Sequence, residues 1–197
     1  MIYIENFSFV SFLSGLFKHN LLINLLSKEY KTIYFIDASL FAQRFLMPLL
    51  RFFGLNIEKL QFTMLEIVDS NGELVRFRIP REDLFNFQEK ILKSEAYKAL
   101  YHESWNQESI ADYINKGLID EGVMDLDSVS RVLYIINVVF WHMQKLDYRK
   151  AVFVISNRPW IGLYKEYAEN YKIELLSMRS AIYKLSDLKR IVRKVPW

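Results

Sequence analysis

Cysteine is absent from the sequence, which excludes disulfide frameworks, thiolate metal sites and cysteine nucleophiles and is compatible with a reducing compartment. Glycine-rich phosphate loops are missing as well. No Gly-x-Gly-x-x-Gly follows the first candidate strand and no Walker sequence occurs, so a dinucleotide enzyme or a P-loop NTPase is disfavoured. The lack of a nucleophile elbow and of glycine-rich loops argues in the same way against a hydrolase or a methyltransferase. His19, His102 and His142 stand far apart without metal-ligand spacing, and neither a metal nor a cofactor is expected.

Long apolar runs are also missing. The longest joins residues 132–136 to 138–141 across Asn137, about half of the roughly 20 residues that cross a bilayer. No lysine or arginine precedes Glu5, the first charged side chain, so the start does not read as a secretory signal and the chain is expected to be cytoplasmic. The formal net charge of +3 is too small to point to nucleic acid, and the basic residues are scattered until the C-terminal segment.

Apolar side chains are what the chain has in plenty. Hydrophobic residues make up 52% and aromatics 16%, which rules out a disordered chain and leaves apolar surface that a partner can meet. With 197 residues, one large domain can fold on its own core without disulfides or a structural metal. No linker, internal repeat or low-complexity stretch divides it, so residues 1–197 read as a single domain.

Short β-prone runs at residues 1–4 and 32–36 end at Glu5-Asn6 and Asp37, and the leucines at 21, 22, 25 and 26 lie between them at helical spacing; together these form a βαβ unit. Ser39 is placed to cap the next helix, and Asp37 can help it. That helix presents Leu40, Phe41, Arg44, Phe45, Leu49 and Phe52, should kink at Pro48 and stops at Gly54. A third strand is predicted over 59–67, and Asn71-Gly72 before 73–78 predicts an edge β-hairpin. A helical insertion without strands fills about 80–148, with helices at 82–92, around 110–114 and at 129–146. Residues 151–155 are apolar throughout, as a parallel strand covered on both faces must be. A helix through Leu163, Tyr164 and Tyr167, a strand at 173–176 and a basic helix over 185–195 complete the chain.

This alternation predicts an α/β fold: a Rossmann-like, doubly wound, mostly parallel sheet of order 3-2-1-4-5. Ligands of such sheets settle outside the carboxyl ends of the strands where the order reverses, here between the first and fourth strands. Glu5 and Asn6 would face Asn157 and Arg158 across that crevice. Arg158 offers a fork for phosphate or carboxylate, Asn157 donates and accepts, and Trp160 can stack on a sugar or base. Alternatively, Arg158 pairs with a neighbouring acid while Pro159-Trp160 starts a helix. Glu5 and Asp37 are the candidate catalytic carboxylates, and Ser8 and His19 lie on the loop and helix bordering the cleft. Two amphipathic segments add surface chemistry. The aromatic loop at 7–17 either packs on the sheet or docks on a membrane or partner, and the basic helix near the C-terminus suits an anionic leaflet.

The first strand and its long loop, the run Lys31–Asp37, the stretch Glu58–Phe62, the predicted hairpin and the strand leading into Arg158-Pro159-Trp160 resemble bacterial surface-carbohydrate biosynthesis proteins, specifically the N-terminal domain of GT-B-like glycosyltransferases. The resemblance implies a domain that handles the sugar or lipid-linked acceptor at the inner membrane face, with most nucleotide-sugar contacts made by a second glycosyltransferase domain or a protein partner. It implies too that Glu5 and Asn6 occupy the loop where a family base lies, with Asn157, Arg158 and Trp160 on the opposite wall. The other reading is a non-catalytic interaction or scaffold domain of a polysaccharide-assembly complex.

Overall fold

The computed structural model describes residues 1–9, 32–105, 108–112, 129–156 and 160–178. In chain order the elements are β1 (Ile2–Phe7), β2 (Thr32–Ala38), a π turn (Ala42–Leu46) running into α1 (Met47–Phe52), and β3 (Asn56–Lys59). Next come α2 (Val75–Arg78), a second π turn (Ile79–Asp83), α3 (Leu84–Lys93), α4 (Glu95–Leu100), and the two-residue strands β4 (Ser104–Trp105) and β5 (Glu108–Ser109). The chain continues through α5 (Val129–Lys145), β6 (Ala151–Ser156), α6 (Ile161–Glu169) and β7 (Ile173–Met178). No helix among the described residues is long and apolar enough to cross a membrane.

Five strands form one parallel sheet in the order β3-β2-β1-β6-β7. This is the α/β, Rossmann-like arrangement that the sequence predicts, with β6 and β7 as the fourth and fifth strands. The centre strands explain it. Ile2, Tyr3, Ile4, Phe153 and Val154 are all buried, because a parallel strand flanked on both sides must bury nearly every side chain. Register follows from the same burial, with Ile2 beside Val152 and Ile33, and Ile4 beside Val154 and Phe35.

The contacts divide the chain into two compact units. The sheet unit contains β1, β2, α1, β3, β6 and β7. The helical unit contains the described residues of 62–146 and 162–171. In the sheet unit, Ala42, Leu46, Met47 and Leu50 pack on Ile2, Ile4, Ile33, Phe35, Ile57, Val152 and Val154. Each large aliphatic side chain so buried contributes about 1.5–3 kcal/mol.

Several predicted elements differ. The third strand is Asn56–Lys59, not 59–67; its only buried side chain is Ile57, so an edge strand of this kind leaves no apolar run to read. The predicted edge hairpin is an isolated antiparallel bridge, Val68 to Leu74, outside the five-stranded sheet. Its turn is real, since Gly72 has φ of 80° and Asp69 Oδ1 accepts from the N–H groups of Asn71 and Glu73 at 2.8 and 2.9 Å. Beyond it the chain becomes helical from Val75. The insertion is not strand-free either, because β4 and β5 pair through Ser104 and Ser109; strands of two residues show no alternation.

Both π turns accompany a proline. Pro48 follows one and Pro80 lies in the other. Proline lacks the N–H and crowds the carbonyl four residues back, and a widened turn is one way a helix accommodates it.

The candidate site at the strand switch

The strand order reverses between β1 and β6, whose carboxyl ends lie side by side. Glu5, near the carboxyl end of β1 and followed in it by Asn6 and Phe7, is 6% exposed and accepts a hydrogen bond at 3.1 Å from the backbone N–H of Ser156, the final residue of β6. Residues 151 positions apart in sequence are thereby joined at the switch. A buried carboxylate needs such donors, and an N–H left by the ending strand supplies one.

Asn6 and Asp37 are register partners on neighbouring strands, and both are exposed. Asp37 does not cap the following helix. Ser39 does: its Oγ accepts from the N–H of Ala42 at 3.2 Å, while its own N–H donates to the Phe7 carbonyl at 3.0 Å. Gln43 Nε2 reinforces the corner by donating to the Ala38 carbonyl at 2.9 Å. The ends of β1 and β2 and the start of the helix therefore form one hydrogen-bonded rim. Ser8, half-buried, follows β1 directly on this rim.

Trp160 stands in the sheet unit just ahead of α6, partly buried, with φ of 61°. A bulky side chain at left-handed φ costs roughly 1–2 kcal/mol, so its placement is held against strain. His19, Asn157 and Arg158 lie outside the described residues, as do the leucines at 21–26, most of the aromatic loop and the basic C-terminal segment. Of the sequence-derived residues, the structure thus brings Asn6 and Asp37 together, and it ties Glu5 to β6 through Ser156. Ser156 is the rim residue that sequence reasoning missed. Ser39 was visible as a cap, but nothing in the sequence marks Ser156, whose contribution is a backbone N–H.

The helical unit holds a second polar centre, largely enclosed and gathered around Arg78. Arg78 donates through Nη1 to Asp69 at 3.0 Å, through Nε to Asp83 at 3.2 Å, and through Nη2 to Asn137 at 2.6 Å and Tyr171 at 3.2 Å. Asn137 in turn donates to the Leu133 carbonyl at 2.8 Å and to the Tyr167 hydroxyl at 2.7 Å, and Tyr167 donates to Asp83 at 2.9 Å. Burial alone would raise the Asp69 carboxyl, but the N–H groups of Glu73 and Asn71 and the Arg78 guanidinium together hold it below its ordinary value. Burial pushes the Tyr167 hydroxyl up, so it stays protonated and donates. Every donor of Arg78 in this list is met by an acceptor, which suits a structural clasp. The legible hint was Asn137, a single amide interrupting an apolar helix.

Among the described residues no group of three or more acidic or histidine side chains is placed to hold a metal ion. The chain matches no family model, no curated protein and no solved structure.

Proposed function

We propose that this chain is the acceptor-side domain of a GT-B-like glycosyltransferase in bacterial surface polysaccharide biosynthesis, working at the cytoplasmic face of the inner membrane. The observation that carries the reading is the buried Glu5 carboxylate bonded to Ser156 at the β1–β6 switch, the position where open α/β sheets hold their ligands. An oriented carboxylate there suits deprotonation of a sugar hydroxyl. Asn6, Asp37 and Ser8 supply further hydrogen-bonding groups on the same rim, and Trp160 offers a ring on which a sugar can stack. The sequence adds Arg158, Asn157 and His19 to this reading as candidate binding residues.

The test is a titration of the full chain with a soluble polyprenyl-phosphate-sugar analogue, followed by transfer assays with nucleotide sugars and candidate partner proteins. Saturable binding that Glu5→Gln and Arg158→Ala each weaken at least about tenfold, or 1.4 kcal/mol, is the expected result. Absence of binding, or full binding by both variants, would sink the reading.

A second reading, a scaffold domain of a polysaccharide-assembly complex, is favoured by one observation. Leu40, Phe41, Phe45, Leu49, Phe52 and Phe53 are exposed on and around α1, Phe52 to 84%, and contiguous exposed apolar residues mark interaction surfaces. A strictly monomeric chain that captures no polysaccharide-assembly protein would speak against it.

A further inference from the structure

We infer that the helical unit carries a binding site for a phosphate group, formed by the guanidinium of Arg76 on α2 and the hydroxyl of Tyr134 on α5. These two helices lie against each other. Tyr134 is only 2% exposed, yet its hydroxyl has no hydrogen-bond partner. Arg76 is half-buried, and its Nε is enclosed without a partner. The guanidinium lies over the Phe77 ring at 4.3 Å and forms no ion pair with the described residues. An enclosed donor left unmet costs about 1–3 kcal/mol, and native structures rarely keep one without a water, ion or ligand to satisfy it. Two such groups on facing helices point to a shared acceptor.

The contrast with Arg78 sharpens this. Arg76 and Arg78 belong to the same short helix, but Arg78 meets two aspartates, an asparagine and a tyrosine, whereas no carboxylate among the described residues answers Arg76. A guanidinium is always charged, so the missing acceptor is anionic. A guanidinium fork beside a hydroxyl donor matches the several oxygens of a tetrahedral phosphate. The Phe62 ring, 6.3 Å from that of Tyr134, adds an apolar wall, which strengthens charge interactions by excluding water. Burial pushes the Tyr134 hydroxyl up to about 12, with Arg76 pulling it back, so it is a neutral donor near pH 7. The inference does not rest on the glycosyltransferase reading, since all of these residues belong to the helical unit.

Calorimetric titration of the full chain with inorganic phosphate at fixed ionic strength, against chloride as control, tests it. Saturable binding is expected, with a dissociation constant on the order of 1 mM. Glycerol 3-phosphate in a parallel titration decides the source, because tighter binding of the ester assigns the site to a phosphate carried on a larger molecule and equal binding assigns it to the free ion. Tyr134→Phe and Arg76→Lys should each weaken binding about tenfold, and Tyr134→Phe should leave the Tm of the free protein unchanged or higher because it removes an unmet hydroxyl. Absence of saturable binding, equal binding by both variants, or a clear fall in the Tm of free Tyr134→Phe would overturn the assignment.

Discussion

The helix that covers the sheet leaves its phenylalanines at 41, 45 and 52 in solvent, whereas the helical unit encloses an arginine with two aspartates. Each unit thus reverses the ordinary partition of side chains in one place, for different reasons. The stretch from Leu40 to Phe53 is apolar nearly all round, so the sheet has a choice of stripe and takes the smaller side chains, Ala42, Leu46, Met47 and Leu50. Arg78 has no such freedom, because its fork must meet Asp69, Asp83, Asn137 and Tyr171 in one geometry. Apolar burial is tolerant of which face is used; a buried ion network is not.

The largest effect should come from breaking the network. Arg78→Met leaves Asp69 and Asp83 buried without their cation, and urea denaturation should show a loss of about 3–5 kcal/mol. Adding Asp69→Asn and Asp83→Asn to that variant should recover part of the loss, and failure to do so would mean the carboxylates are not desolvated. At the strand switch, Glu5→Ala strands the Ser156 N–H and should cost about 1–3 kcal/mol by the same measurement. Glu5→Gln keeps an accepting oxygen and should cost clearly less.

Acid sharpens the comparison further. The folded Asp69 carboxyl lies below its ordinary value of 3.8, so its contribution is fully present above that value and is lost as the pH falls through the lowered folded one. The denaturation midpoint of wild type should therefore drop on acidification below about pH 4 more steeply than that of Asp69→Asn. Equal slopes would place the acid sensitivity elsewhere. The smallest effect belongs to the exposed stripe, where Phe45→Ser with Phe52→Ser should change stability by no more than about 0.5 kcal/mol per site. A loss well beyond that would show these rings to be covered in solution.

Much of the sheet was legible because its centre strands must be apolar on both faces. Residues 151–155 and 1–4 carry that pattern, and with the right-handed crossover rule they sufficed to predict the order in which β1 neighbours β6. The edge strand β3 was misread because one buried isoleucine is no pattern. The segment Val75–Arg78 was misread because Asn71-Gly72 does make a turn, and Arg78 beyond it pairs with Asp69 and Asp83 within a helix rather than extending a strand. Asp37 was read as a cap, a task that Ser39 performs alone.

The sequence by itself determined the centre strands β1, β2 and β6, the long apolar helix α5 and the capping of the helix after β2, since these depend on local spacing and on side chains acting within a few residues. Only the tertiary structure decided which stripe of the apolar helix meets the sheet, that Ser156 offers its N–H to Glu5, and that Arg78 is satisfied while Arg76 is not. These depend on distances between groups remote in the chain, and a hydrogen bond or ion pair lost over one ångström leaves no trace in spacing or composition.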